Sequence, residues 1–378
     1  MELPPSPGLA VERASARWLS GVLGATLAVL GAAAASVAWV DPFQQYHLAT
    51  HYLPRFYFLH HRYINPGLAR NQIYDTVVSG SSIMENTRND FVAKACGGAA
   101  VNLSMPAMSA SEQRLMLDTA FAHRPVKRVI AVLDFNEFSG GIDGRQDVAG
   151  PLPRYLYDRN RFNDLPYLLS WDVFVKAWRI VTRDTSEKFT SDPNAAWFWG
   201  NVVRFGREQV LRELDLKNLN ARYRQPQRTL EGMRASFEHN LLPLFQSHPE
   251  TEFDLVWPPY SILVWVDFAQ RDQVQVSLEF KRYVFEKTRE LANVRVFDLQ
   301  SEAVITHNLD KYDDIYHFDP TINELLIDST CKGRNRVDRA SVTELERRLH
   351  EQLTAVNTPA GLARIAAGRP GDAGSSKR

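Results

Sequence analysis

From Trp18 to Val40 the chain reads WLSGVLGATLAVLGAAAASVAWV, 23 residues without a charge, bounded by Arg17 and Asp41. At about 1.5 Å per residue, a helix of this length crosses the roughly 30 Å hydrocarbon core of a bilayer. The run is apolar on every face and lies at the N-terminus, which argues for a membrane-crossing segment over a buried core helix. Ser36-Val37-Ala38 has the small-x-small form of a signal-peptide cleavage site. The 17 residues before the run, and its own length, favour an uncleaved anchor instead. Orientation is weakly encoded, because Arg13 and Arg17 precede the span while Arg55, Arg62 and Arg70 lie beyond it. A single N-terminal anchor usually serves to export the domain attached to it, so the expectation is a cytoplasmic N-terminus over residues 1–17 and a large C-terminal part outside the cytoplasm.

The whole chain has 378 residues, 44% hydrophobic and 23% charged, the composition of a folded globular protein. Lysine plus arginine and aspartate plus glutamate are equal at 44 each, so no net field draws in nucleic acid and no such partner is expected. Residues 41–70 are rich in His, Tyr and Pro without a period, and read as a connecting segment packed onto the domain. A regular rhythm then begins. Strands are expected at Tyr74–Ser79, Val101–Leu103 and Val126–Leu133, with helices at Glu85–Cys96 and Ser111–His123 between them. The rhythm breaks at Ser139-Gly140-Gly141 and gives way to an aromatic-rich section, about 139–225, which reads as an inserted helical part. It returns with a helix near 227–247, a strand at Phe253–Trp257, a helix near 270–292 and a strand at Val294–Asp298. Strands alternating with helices of about a dozen residues predict an α/β domain over 71–356 with a parallel sheet. The tail, 357–378, has a disordered composition. Cys96 and Cys331 suit either one disulfide in an oxidising compartment or two separate buried thiols.

Open α/β sheets bind ligands at the carboxyl ends of their strands, so the residues after each strand carry the candidates. The first strand runs into Gly80-Ser81-Ser82 and the second into Ser104-Met105-Pro106. The third leads to Asp134-Phe135-Asn136 and the fourth to Pro258-Pro259-Tyr260-Ser261. A late loop holds Asp314 and His317. A serine hydroxyl becomes a nucleophile when an imidazole takes its proton and a carboxylate fixes that imidazole's tautomer. Asp314 and His317, three residues apart, can be brought together by one turn. Asp313 is an alternative to Asp314, and Ser81 an alternative to Ser82. An oxyanion hole could come from the backbone N–H groups of Ser82 and Ser104 and the side-chain amide of Asn136. Tyr260 and Ser261 read as packing, as do Trp171, Trp197 and Trp199, although tryptophans can stack on sugar rings. His60-His61 lacks a carboxylate or cysteine at ligand spacing, so neither a metal nor an organic cofactor is expected.

The ordered set of G-x-S after the first strand, N-x-small after the second, Asn after the third and D-x-x-H near the end resembles the SGNH/GDSL hydrolase superfamily. The N-terminal anchor with DPF directly after it, then GSSIMEN, NLSMPAMSASEQ, WPPYS and YDDIYHF, resembles membrane-anchored SGNH-like bacterial envelope proteins, related to polysaccharide O-acetylation factors. The resemblance implies a flavodoxin-like three-layer sheet and assigns Ser82 as nucleophile and His317 as base oriented by Asp314. It also implies Ser82 N–H, Ser104 N–H and Asn136 Nδ2 as the oxyanion hole. Ser81 replaces the usual aspartate of the first block, Ser104 replaces a glycine, and Asp134-Phe135-Asn136 stands for Gly-x-Asn. The implied function is ester hydrolysis or O-acyl transfer on envelope carbohydrate. The implied setting is the bacterial inner membrane with the domain in the periplasm, and a multi-pass membrane acyltransferase is a candidate partner. The alternative is a non-catalytic cleft that binds glycan or scaffolds such an acyltransferase.

Overall fold

The computed structural model describes residues 7–144, 151–212 and 228–368. A long helix, α1 (Pro7–Val40), contains a stretch, Ser15–Val40, long and apolar enough to cross a membrane. The next helix, α2 (His61–Asn71), leads to β1 (Thr76–Ser79), α3 (Asn89–Cys96), β2 (Ala100–Asn102), α4 (Ala110–His123) and β3 (Arg128–Val132). Among the described residues, the α-helices of the inserted section are α5 (Leu165–Leu168), α6 (Trp171–Val181) and α7 (Arg207–Arg212), joined by 3-10 turns and loops. It is less helical than its composition suggested, because Pro151, Pro153, Pro166 and Pro193 remove backbone donors and stop helices from propagating. The expectations for 145–150 and 213–227 lie outside the described residues.

The chain re-enters the sheet through α8 (Leu230–Asn240), α9 (Leu242–Ser247) and β4 (Glu252–Trp257). It continues through α10 (Ile262–Gln270), α11 (Val274–Thr288), β5 (Val294–Asp298) and α12 (Ala303–Thr306), and closes with α13 (Pro320–Cys331), α14 (Arg339–Val356) and α15 (Pro359–Ala366). The segment from Asn357, expected to be disordered, is therefore helical as far as it is described. Thr358 caps α15 by accepting from Gly361 N–H, and Ile365 is buried. Residues 369–378 lie outside the described ones.

All five strands are parallel, in the order β2-β1-β3-β4-β5. This is the doubly wound order whose switch point falls between β1 and β3. Right-handed crossovers put α3 on one face and α4, α8 and α11 on the other, because the chain steps one way from β1 to β2 and the opposite way afterwards. The packing agrees: α8 touches both α4 and α11, and α3 pairs with α13. Strands covered on both faces have no solvent side, which is why β1 reads Thr-Val-Val-Ser with every position buried. Cys96 and Cys331, at the ends of α3 and α13, are joined by a disulfide with Cα atoms 5.1 Å apart.

The segment 41–70 does more than connect. From α2, Asn65 Nδ2 donates to Leu103 O (2.9 Å) and Ser104 O (3.1 Å). Arg62 forms a two-pronged ion pair with Glu112 (3.0 Å for each bond) and donates to Pro106 O. Glu112 is also the third residue of a capping box with Ser109, so one carboxylate starts α4 and receives α2. The loop after β2 is thereby held from both sides.

Candidate active site

Strand order brings the ends of β2, β1 and β3 side by side at the switch point. β1 ends at Ser79, and a 3-10 turn begins at Ser82. Gly80 between them sits in a tight space, since a Cβ there would stand 3.1 Å from both Met84 Cγ and Val132 Cβ. Ser81 faces inward, where its Oγ donates to Asp134 Oδ2 (3.2 Å), and Ser82 faces outward, partly open to solvent. Two buried amides lock the turn. Asn102 Nδ2 donates to Met84 O (2.8 Å) and Thr87 O (3.0 Å), and Asn323 Nδ2 of α13 donates to Ile83 O (2.8 Å) and Thr87 Oγ1 (3.2 Å). Asn102 is the first residue of the N-x-small block, whereas Asn323 was not singled out from sequence, because an asparagine's role depends on the partner that the fold brings to it.

The Asp314–His317 loop comes from beyond β5, at the sheet's far edge, and is carried back by the end of β4. Ser261 N–H and Oγ both donate to Ile315 O (3.1 and 2.8 Å), Tyr312 Oη donates to Pro259 O (2.6 Å), and Tyr260 packs edge-on against Tyr316. Tyr260 and Ser261 thus support the loop, as a packing role requires. Within the loop, Asp314 Oδ1 accepts from the N–H groups of Tyr316 and His317, each at 2.7 Å. Asp314 Oδ2 accepts from His317 Nδ1 (2.8 Å). A carboxylate can only accept here, so Nδ1 carries a proton, and in the neutral ring Nε2 is the acceptor. Ser82 Oγ lies 2.8 Å from that Nε2. Ser82, His317 and Asp314 therefore form one continuous hydrogen-bonded line, with Asp314 and not Asp313 as the carboxylate and Ser82 and not Ser81 as the hydroxyl.

Burial of the imidazole opposes its charge, but the Asp314 carboxylate beside it outweighs this and pushes the His317 pKa up to about 9. Burial opposes ionisation of Asp314 too, yet the charge and hydrogen bonds of His317 hold its carboxyl below the usual range. Behind the imidazole lies a group the sequence did not reveal. Trp199 of the inserted section packs edge-on against His317 (5.6 Å between ring centroids), and Asn86 Oδ1 fixes its segment by accepting from Trp199 N–H (3.0 Å) and Gly200 N–H (2.8 Å). Glu85 is fully buried with its carboxyl 3.3 Å from His61 Nε2, and burial pushes its pKa up to about 8 and that of His61 down to about 3. His61 in turn lies over Trp197 (4.0 Å). Trp197 and Trp199 are core, at 2% and 8% exposed, and Trp171 is exposed.

No family model and no curated protein matches the chain. The site's chemistry therefore rests on its geometry. Among the described residues there is no group of three or more His, Cys, Asp or Glu that could hold a metal ion.

The expected oxyanion donors fare differently. Ser82 opens its 3-10 turn, where the first N–H groups have no intrahelical acceptor and stay available. Asn136 Oδ1 accepts from Arg228 Nη1 (3.2 Å). A guanidinium has no acceptor to offer, so this bond fixes the amide orientation and turns Nδ2 away from Arg228. Arg228 is itself buried, stacked 4.1 Å over Phe268, and was invisible as a site residue because it is distant in sequence from every block. Ser104 requires a correction. Its N–H donates to Asn102 Oδ1 (3.0 Å), two residues back, and the residue is fully buried. The same asparagine that clamps the serine turn takes this donor. A cleft of about 790 Å³, lined in part by Phe56, Arg88, Asp192 and Trp199, adjoins the Trp199 side of the site.

Proposed function

We propose that this chain is a membrane-anchored, SGNH-type serine esterase or O-acyltransferase acting on acylated carbohydrate of the bacterial envelope. The observation that carries the reading is the 2.8 Å contact between Ser82 Oγ and His317 Nε2, with Asp314 at 2.8 Å on the other ring nitrogen. As Ser82 Oγ bonds to the ester carbonyl carbon, its proton passes to Nε2 and the carbonyl electrons move onto the oxygen facing Ser82 N–H and Asn136 Nδ2. Collapse expels the alcohol, which takes the proton back from the imidazolium. Water or a sugar hydroxyl, deprotonated by the same nitrogen, then releases the acyl group from Ser82.

The anchor is α1, and the domain stands in the periplasm. The paired Cys96 and Cys331 support export, since disulfides persist in oxidising compartments. The test is turnover of an aryl acetate by the full chain in detergent, with and without an oligosaccharide acceptor. The reading predicts acetate release, diverted to the sugar if the enzyme is a transferase, and a loss of at least ~10³-fold in Ser82→Ala. Turnover unchanged in that variant would refute it. The engaged Ser104 N–H favours a second reading, a non-catalytic cleft that binds glycan or scaffolds a multi-pass membrane acyltransferase; no turnover with retained glycan binding would support it.

A further inference from the structure

The inward end of α1 is built into the domain. Among the residues of α1 whose burial is described, the buried and half-buried ones lie in its last eight positions: Ala33, Ala34, Val37, Ala38 and Val40. This end packs against α5 and α6, with Val40 clustered on Ala177 and Ile180 of α6. Asp41 closes the joint: its carboxylate accepts from the N–H groups of Gln45, Tyr46 and His47 and from Tyr167 Oη of α5 (2.8 Å), while its own N–H donates to Val37 O. The height of α6 along α1 is therefore fixed.

Two tryptophans mark the ends of the apolar run. Trp18 and Trp39 bracket the apolar run and are both 71% exposed. They are 21 residues, or roughly 32 Å, apart along the helix, close to the thickness of the hydrocarbon core, and tryptophans favour its two boundaries. At the level of Trp39, α6 turns Ala177 and Ile180 to α1 and carries Trp171, Phe174, Trp178 and Val181 at successive helical spacings on another side. Trp171 is 76% exposed, Trp178 61% and Val181 56%. The charged side chains of α6 itself have partners. Asp172 lies between His60 Nε2 (3.6 Å) and Lys176 Nζ (3.5 Å), and Lys176 and Arg179 both pair with Glu187. Such an apolar stripe on a water-facing helix marks a contact surface.

We propose that α6 is an interfacial helix, its Trp171–Val181 stripe lying in the headgroup–acyl boundary of the bilayer that α1 crosses, so that the domain rests on the membrane at a fixed tilt. This rests on the reading of α1 as the anchor. The test is spin labelling of the full chain in phosphatidylcholine–phosphatidylglycerol nanodiscs, with labels at Trp171→Cys and Trp178→Cys, at Val29→Cys within α1 and at Val304→Cys, which is 89% exposed. The native disulfide leaves no other thiol to react. Labels at 171 and 178 should be several-fold less accessible to a nickel chelate than the label at 304, yet accessible to oxygen, and shallower than the label at 29. Equal nickel access at 171, 178 and 304 with 29 deep in the core would overturn the proposal alone. Shielding of 171 and 178 from both reagents would overturn it in favour of a second copy of the chain. A water-exposed label at 29 would remove the anchor and the proposal together.

Discussion

His317 can take the Ser82 proton only as a neutral ring, and Asp314 holds it in the charged form up to about pH 9. Below that value the neutral fraction rises about tenfold per pH unit, so kcat/KM for an aryl acetate should climb with pH and level off near 9, well above the inflection near 6.5 of an ordinary histidine. Asp314→Asn should move the inflection down toward that ordinary range and lower the plateau by orders of magnitude, since the ring loses both its charge partner and its fixed tautomer. A wild-type inflection near 6.5 would show that Asp314 does not act on His317 as the geometry requires. At this scale the juxtaposition of Ser82, Asp314 and His317 was legible because three residue types in a fixed order sufficed. Ser104 was misread for a physical reason: a backbone N–H announces nothing about what already binds it, and Asn102 does.

The elements that hold the site are joined across long stretches of sequence. α3 comes after the serine turn and α13 after the histidine loop, and the Cys96–Cys331 bridge ties their ends over a separation of 235 residues. Cross-linking so long a loop restricts the unfolded chain strongly, so replacing both cysteines with alanine should lower stability on the order of 2–5 kcal/mol, read as a shift in the urea midpoint. An unchanged midpoint would mean that the helices pair without help. The parallel strands were read within a residue or two because burial on both faces leaves short apolar runs with sharp ends. Helix boundaries were less legible. The expected helix from Glu85 begins only at Asn89, because Ser82–Met84 closes a 3-10 turn first. α10 was missed altogether, since Ile262–Phe268 is buried on every side and shows no amphipathic period.

In the whole molecule, five parallel strands in the order 2-1-3-4-5 set the ends of β1 and β3 side by side, with Ser81 against Asp134, and Ser82 meets His317 despite the insertion between the third and fourth strands. The sequence disclosed this convergence through its strand rhythm. It could not disclose that Trp199, from a segment without periodicity, would pack against the imidazole, because that contact is tertiary and has no local signature. The most direct test of the central claim is labelling of the full chain with a fluorophosphonate, with the adduct located by peptide mass mapping. A single adduct on Ser82, absent in both Ser82→Ala and His317→Ala, is the predicted result. No adduct on folded wild-type protein, or an adduct that persists on another residue when Ser82 is removed, would contradict it.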